Sequence, residues 1–465
     1  MSSLAGKHVL ILGLGESGLA MARWCARQGA RLRVADSRAQ PPGLDVLRAE
    51  VPGAEIIAGA FDVAVLNGIE LVAVSPGLDT RAGVVPEARR RCIEVTGEMS
   101  LFAQALDEAG VRGQTRILAI TGTNGKTTTT ALTAALAASA GLDAVAAGNI
   151  SPAALDVLMS RQDTRRPWPQ CWVLELSSFQ IETMHGLNPE AATVLNVTDD
   201  HLDRYADLAD YGRTKARIFQ GQGVQVLNAD DDHVAAMQLP GRKAIRFGRG
   251  VPAAGDYGLI DKDGQTWLAR GDEALIPMEA LPLAGLHNAA NALAALALCE
   301  AGLGLAPAGL LSALRIFHGL PHRVELIAER ADGVRFYDDS KGTNVGATLA
   351  ALEGLGRKVV LIAGGDGKGQ DFSPLKPVLA QHARAVLLIG RDAAMIEKAI
   401  AGCGAVLEHA TDLPAAVARA NALAQPGDVV LLSPACASLD MFRNYAHRAQ
   451  VFIDAARALP EVSAR

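Results

Sequence analysis

The stretch Ile117-Leu118-Ala119-Ile120-Thr121-Gly122-Thr123-Asn124-Gly125-Lys126-Thr127-Thr128 decides how this chain is read. The apolar run Ile117–Ile120 predicts a strand, and the Ala-rich segment from Lys126 to about Ala140 predicts a helix. Strand, glycine turn and a helix opening on Lys-Thr together make a phosphate cradle. Backbone N–H groups of the turn and the helix N-terminus face an anion, Lys126 adds positive charge, and the Thr127 hydroxyl can ligate Mg²⁺. The general pattern has a glycine six positions before the lysine, where this chain has Ile120; Gly122 lies four before it, so the loop is a shortened form. An ordinary glycine turn with a capped helix gives no reason for Lys-Thr at the helix start.

Upstream, a strand over His8–Leu12 runs into Gly13-Leu14-Gly15-Glu16-Ser17-Gly18, then a helix to about Gln28, then a strand Arg31–Ala35 ending at Asp36. This is the G-x-G-x-x-G pattern of a Rossmann-like unit, with an acidic residue at the end of the next strand. Its glycines permit a tight turn and close approach of a diphosphate, and Asp36 could accept hydrogen bonds from a ribose or base. A tight βα turn with Asp36 as a cap is the plain structural alternative. A further strand, Glu70–Val74, ends in Ser75-Pro76-Gly77, at the edge where open α/β sheets bind ligands. The polar segment Leu106–Thr115 reads as a linker.

Downstream, Cys171-Trp172-Val173-Leu174-Glu175 places an acid at the end of an apolar strand. A charge there is costly without a partner, so Glu175 reads as a carboxylate held beside phosphates for Mg²⁺. A strand over Ala192–Val197 leads into Thr198-Asp199-Asp200-His201, a carboxylate–imidazole cluster suited to a divalent metal or phosphate. Helical Tyr211–Arg217 carries Arg213, Lys215 and Arg217; by charge alone it is a solvated face. Residues 251–285 suggest a β-hairpin around Thr266–Ala269. Asn288 and Asn291 lie one turn apart on the next helix, able to read a base edge or merely cap the helix. After Gly319–Arg323 a new βα series begins. Its strands Val334–Tyr337, Lys358–Ala363, Ala385–Ile389 and Asp428–Leu432 predict a parallel sheet with polar loops along one edge.

The fold class is therefore α/β in three domains. Residues 1–105 form an N-terminal Rossmann-like domain. Residues 106–319 form a central P-loop ATPase-type domain with a mostly parallel sheet and a small β region. Residues 320–465 form a C-terminal Rossmann-like domain. Composition agrees: 465 residues, 49% hydrophobic, 20% charged, 4% aromatic. A net charge of −6 without a basic face argues against nucleic acid. None of the six cysteines forms a CxxC pair, so neither a zinc site nor a disulfide framework is expected, and a reducing cytoplasm is the simplest setting. No signal peptide and no transmembrane helix are expected.

Across its whole length the chain resembles the Mur ligase family. The resemblance rests on Gly122–Thr127, Glu175-Leu176-Ser177-Ser178-Phe179-Gln180, Asn196–His201, His287-Asn288 with Asn291, Leu320-Pro321-His322-Arg323, Asp339-Ser340-Lys341-Gly342-Thr343-Asn344 and Ser433-Pro434-Ala435-Cys436-Ala437-Ser438-Leu439-Asp440. The last two motifs point to the member that adds D-glutamate. The resemblance implies ATP-dependent amide formation between UDP-N-acetylmuramoyl-L-alanine and D-glutamate, through an acyl phosphate, in cytoplasmic peptidoglycan precursor synthesis.

It also implies roles. Catalysis would involve Lys126, Glu175, His201 and Lys215. ATP would meet Gly122, Thr123, Asn124, Gly125, Lys126, Thr127 and Thr128, together with Asn291, Arg323 and Asp339. The UDP-linked substrate would meet Gly15, Glu16, Ser17, Asp36, Ser37, Arg38, Ser75, Pro76, Gly77, Asn149 and His201. D-glutamate would meet Thr343, Lys368, Ser438, Leu439 and Tyr445, the last standing where the family often has Phe. Two Mg²⁺ ions would be held by Thr127, Glu175, His201 and Lys215, the lysine as its CO₂-derived carbamate. The expected protein is a cytoplasmic monomer with no nucleic-acid partner and no membrane insertion. Two other readings compete: a folylpolyglutamate-type ligase, which the N-terminal nucleotide unit disfavours, and an NAD-dependent oxidoreductase, which leaves the Lys-bearing loops without a purpose.

Overall fold

The computed structural model describes residues 2–200, 204–283 and 285–464. Three sheets organise them. The first consists of β1 (His8–Leu12), β2 (Arg31–Asp36), β3 (Glu55–Ala58), β4 (Leu71–Val74) and β5 (Glu94–Thr96). All pairings are parallel, in the order β3-β2-β1-β4-β5. The order reverses beside β1, and the glycine loop leaves β1 at that point. A Cβ at Gly18 would lie 1.9 Å from the Gly13 carbonyl oxygen. Only glycine lets the helix Glu16–Arg27 pack this closely on the turn.

The second sheet comprises β6 (Arg116–Thr121), β7 (Ala144–Gly148), β8 (Cys171–Glu175), β9 (Ala191–Val194), β10 (Val224–Asn228), β11 (Ala244–Phe247), β12 (Tyr257–Lys262), β13 (Gln265–Arg270) and β14 (Glu273–Pro277). Its order is β14-β13-β12-β11-β10-β9-β6-β8-β7. β6 runs parallel between β8 and β9, so their C-terminal ends flank the phosphate loop. β12 and β13 are an antiparallel hairpin turning on Asp263 and Gly264, both at positive φ, as a two-residue turn of the right twist requires. This is the hairpin expected around Thr266–Ala269.

The third sheet contains β15 (Glu325–Arg330), β16 (Arg335–Asp338), β17 (Val359–Gly364), β18 (Ala383–Ile389), β19 (Val406–His409), β20 (Val429–Leu432) and β21 (Val462–Ala464), in the order β19-β18-β17-β20-β16-β15-β21. All six residues of β17 are buried, the mark of a strand covered on both faces. The expected all-parallel sheet is corrected at one edge: β15 runs antiparallel to β16 and β21. The connection from β15 to β16 is too short for a crossover, which only a hairpin satisfies.

The chain forms two compact units: one holds the first two sheets, the other the third sheet with the segment Pro277–Asn291. Within the first unit, Phe102 packs edge-on against Trp172 of β8, their centroids 4.8 Å apart. Arg23 pairs with Glu50 and Asp156, and Arg27 forks onto Asp163. The expected linker begins later than its polarity suggested. Leu106 is fully buried inside the helix Glu98–Glu108, and that helix's apolar face overrides the composition.

Candidate active site

The loop after β6 is shaped by its own strand and by a neighbour. Gly122 and Gly125 both take positive φ, and a Cβ on Gly122 would meet Leu195 at 2.9 Å. The Asn196 side chain accepts from the Asn124 N–H at 2.8 Å and donates back to the Asn124 carbonyl at 3.2 Å. The Asn196 carbonyl accepts from the Thr123 N–H. These bonds explain why β9 ends at Val194, short of the expected Val197. Lys126 Nζ donates to the carbonyls of Gly122 and Thr123 at 2.8 and 2.7 Å, so its charge lies over the loop. Thr127 and Thr128 are buried at the start of the helix Lys126–Ser139.

Glu175 is 1% exposed. Its Oε1 accepts from Asn149 Nδ2 at 2.7 Å, while the buried Oε2 has no hydrogen-bond partner among the described residues. A buried carboxylate oxygen without a donor suits a cation, so the residues present fit the Mg²⁺ reading. Gly148 makes the Asn149 contact possible, because a Cβ there would lie 2.5 Å from the Glu175 carbonyl oxygen. Lys215 corrects the solvated-face reading: it is 1% exposed, and its Nζ donates to the Gly122 carbonyl at 2.8 Å and lies 4.3 Å from the Tyr211 ring centre. Arg213 and Arg217 of the same helix are exposed, as charge alone suggests. His201 lies outside the described residues.

At the first sheet, both oxygens of Asp36 are already engaged. Oδ1 accepts from the Arg38 N–H and Nε, and Oδ2 accepts from the Leu14 N–H at 2.7 Å and Arg38 Nη2 at 2.6 Å. The Arg38 guanidinium thereby holds the carboxyl down to about 2. Asp36 thus fixes the glycine loop and aims Arg38, whose side chain is half exposed. Ser75 packs under Gly13. Glu16 accepts from the Ser151 hydroxyl.

In the second unit, Asn291 Nδ2 donates to Asn288 Oδ1 at 3.3 Å. Asp339 is 6% exposed and accepts from the Ser433 hydroxyl at 2.7 Å; burial pushes it up to about 7 against that bond and the nearby Arg323. Lys341 lies over the Tyr445 ring. Lys368 takes a positive φ at the turn after β17, with its N–H on Asp366. Ser438 is buried and Leu439 exposed. His322, Glu325 and Asp338 also cluster, but His322 bonds both carboxylates directly, which satisfies the group without an ion.

Residues 7–97 match the Mur ligase MurD-like N-terminal domain, 120–299 the Mur ligase middle domain and 322–436 the Mur ligase glutamate ligase domain. The chain is 73% identical to the UDP-N-acetylmuramoylalanine–D-glutamate ligase of Aromatoleum aromaticum, covering 100% of both chains. It is 58% identical to the enzyme of that name from Dechloromonas aromatica, over 98% of this chain and 99% of that one. The chain belongs to the Mur ligase family. Two solved Mur ligases share its fold. The UDP-N-acetylmuramate-alanine ligase MurC of Thermotoga maritima aligns at a TM-score of 0.61 and 19% identity, over 96% of this chain and 98% of that one. MurF of Acinetobacter baumannii aligns at 0.61 and 18%, over 98% and 93%.

Three supporting residues of this Mur ligase were given no role by the sequence reading. Asn196 is the first. The second is Arg448, fully buried, whose guanidinium donates to Ser340 Oγ and O and to the Cys436 carbonyl, tying two loops together. The third is Arg204, which donates to the Leu78 carbonyl and Glu182 while its guanidinium covers the Phe179 ring at 4.5 Å. The available signal was weak: an arginine four places along an otherwise apolar helix face, for Arg448, looks like any amphipathic helix.

Proposed function

We propose that this Mur ligase adds D-glutamate to UDP-N-acetylmuramoyl-L-alanine in an ATP-dependent, ADP-forming reaction of peptidoglycan precursor synthesis. The full-length match to ligases named for that product carries this reading. The substrate carboxylate attacks the γ-phosphorus of ATP, giving an acyl phosphate and ADP. The D-glutamate amine then attacks the acyl carbon, releases phosphate, loses a proton and leaves the amide.

The residues support that chemistry. Phosphoryl transfer requires alignment and charge neutralisation more than a covalent protein group. Lys126 is held at the loop for the phosphates, with Gly122–Thr128 as their cradle. Glu175, oriented by Asn149, would hold Mg²⁺ with Thr127, and Mg²⁺ when bound offsets phosphate charge. His201 and Lys215 would complete the metal ligands for two ions, Lys215 as a carbamate. Asn291, Arg323 and Asp339 are assigned to ATP. Gly15–Ser17, Asp36–Arg38, Ser75–Gly77, Asn149 and His201 are assigned to the UDP-linked substrate, and Thr343, Lys368, Ser438, Leu439 and Tyr445 to D-glutamate. The domains would be 1–105, 106–319 and 320–465, in a cytoplasmic monomer. No helix of the described residues is long and apolar enough to cross a membrane.

Phosphate release should require ATP, UDP-N-acetylmuramoyl-L-alanine and D-glutamate together. Equal release with L-lysine or meso-diaminopimelate would overturn the amino-acid assignment. The carbamate is tested by carbon-13 spectra in labelled bicarbonate, where a carbamate signal should be lost in Lys215→Arg.

A further inference from the structure

Three helices of the first unit pack against one another in pairs: Glu16–Arg27, Glu98–Glu108 and Ala154–Asp163. Each begins at a residue, Gly15, Gly97 or Ala153, whose side chain makes no capping bond. One carboxylate serves this junction. Glu98 is 2% exposed and faces the Ser17 hydroxyl and the N–H groups of Ala154 and Leu155. Neither of its oxygens closes a full hydrogen bond among the described residues. Helix N-termini favour the anion, whereas burial without a full partner opposes it. Burial wins and pushes Glu98 up to about 7, Ser17 and the two N–H groups acting against it. The charged group facing it is Asp156, itself paired with Arg23 at 3.3 Å; Glu16 bears on Asp156 from the same side.

The sequence of events at this junction follows from charge. Ser17 belongs to the loop assigned above to the UDP-linked substrate, whose glycines permit close approach of a diphosphate, and the proposal rests on that assignment. An ionised Glu98 accepts the Ser17 O–H, which turns the hydroxyl's lone pairs toward the incoming phosphate. A protonated Glu98 donates to Ser17 Oγ and frees the O–H to donate to phosphate. We propose that Glu98 is a positioning residue for the UDP-linked substrate: it takes a proton from solvent as the diphosphate binds, and so converts Ser17 into a donor to that diphosphate. The proton returns to solvent on release. The diphosphate, a diester on both sides, does not titrate near neutrality, so proton uptake reports on the protein.

The test is calorimetry of UDP-N-acetylmuramoyl-L-alanine binding to the full chain near pH 7.5, in buffers of low and high ionisation enthalpy. The native protein should take up about half to three-quarters of a proton. Glu98→Gln should bind without uptake, with an affinity that changes little with pH. Binding without uptake by the native protein, or undiminished uptake by Glu98→Gln, overturns the proposal. No binding at all overturns the assignment of the loop, and the proposal with it. If Glu98→Gln does not fold, Ser17→Ala decides. It should weaken binding several-fold at about pH 6.5 and much less at about pH 8.5; equal weakening at both overturns the role.

Discussion

Asn149 donates to one oxygen of Glu175 at 2.7 Å, and the other, buried oxygen has no donor among the described residues. The carboxylate is thus aimed by a neighbour and half reserved. Glu175→Gln keeps the shape and removes the charge. Turnover at fixed Mg²⁺ should fall by about 100-fold or more, and Asn149→Ala by roughly 10-fold, as for groups that orient a metal ligand. Phosphate release titrated against Mg²⁺ checks both, and an unchanged Mg²⁺ requirement in Glu175→Gln would remove the metal role.

Arg448 ties the Asp339–Asn344 loop to the Ser433–Leu439 loop, beside the Ser433–Asp339 bond. Arg448→Met leaves the carbonyls of Ser340 and Cys436 buried without that donor, each at about 1–3 kcal/mol. The KM for D-glutamate should rise about 10-fold, because misplacement of loops acts through positioning. The KM for the UDP-linked substrate should not move. Initial rates over both substrates separate these outcomes.

Gly18→Ala puts a methyl group into the Gly13 carbonyl. The helix must shift, at a cost of about 1–3 kcal/mol. Thermal unfolding should move down, and affinity for the UDP-linked substrate should fall more than affinity for ATP.

Asp36 provides a pH test. Its folded carboxyl is held low, at about 2, by Arg38 and the Leu14 N–H. Its contribution is therefore complete above the ordinary carboxylate range and lost as pH falls toward 2. With Arg38 half in solvent, that contribution is on the order of 1 kcal/mol. Asp36→Asn should lower stability at neutral pH and flatten its decline with acid, as followed by denaturant unfolding at several pH values.

Much of this fold could be read from residues 8–36, 117–140 and 171–175, where a strand, a glycine turn and a helix or an acid follow in a fixed rhythm. The antiparallel β15 was not readable, because Glu325–Arg330 has a strand's length but no clean alternation. The burial of Lys215 was unreadable by charge, since a lysine beside Arg213 and Arg217 looks solvated until the helix is docked. Asn196, Arg204 and Arg448 act through bonds to residues far away in sequence, and local pattern carries no trace of such partners.

The clamp of Asn196 on the N–H and the carbonyl of Asn124 has one more consequence. The phosphate loop draws its curvature from the segment just after β9, so the loss of freedom in ordering it falls on folding and is not repeated at each catalytic cycle. Nucleotide exchange then needs no local refolding of the cradle.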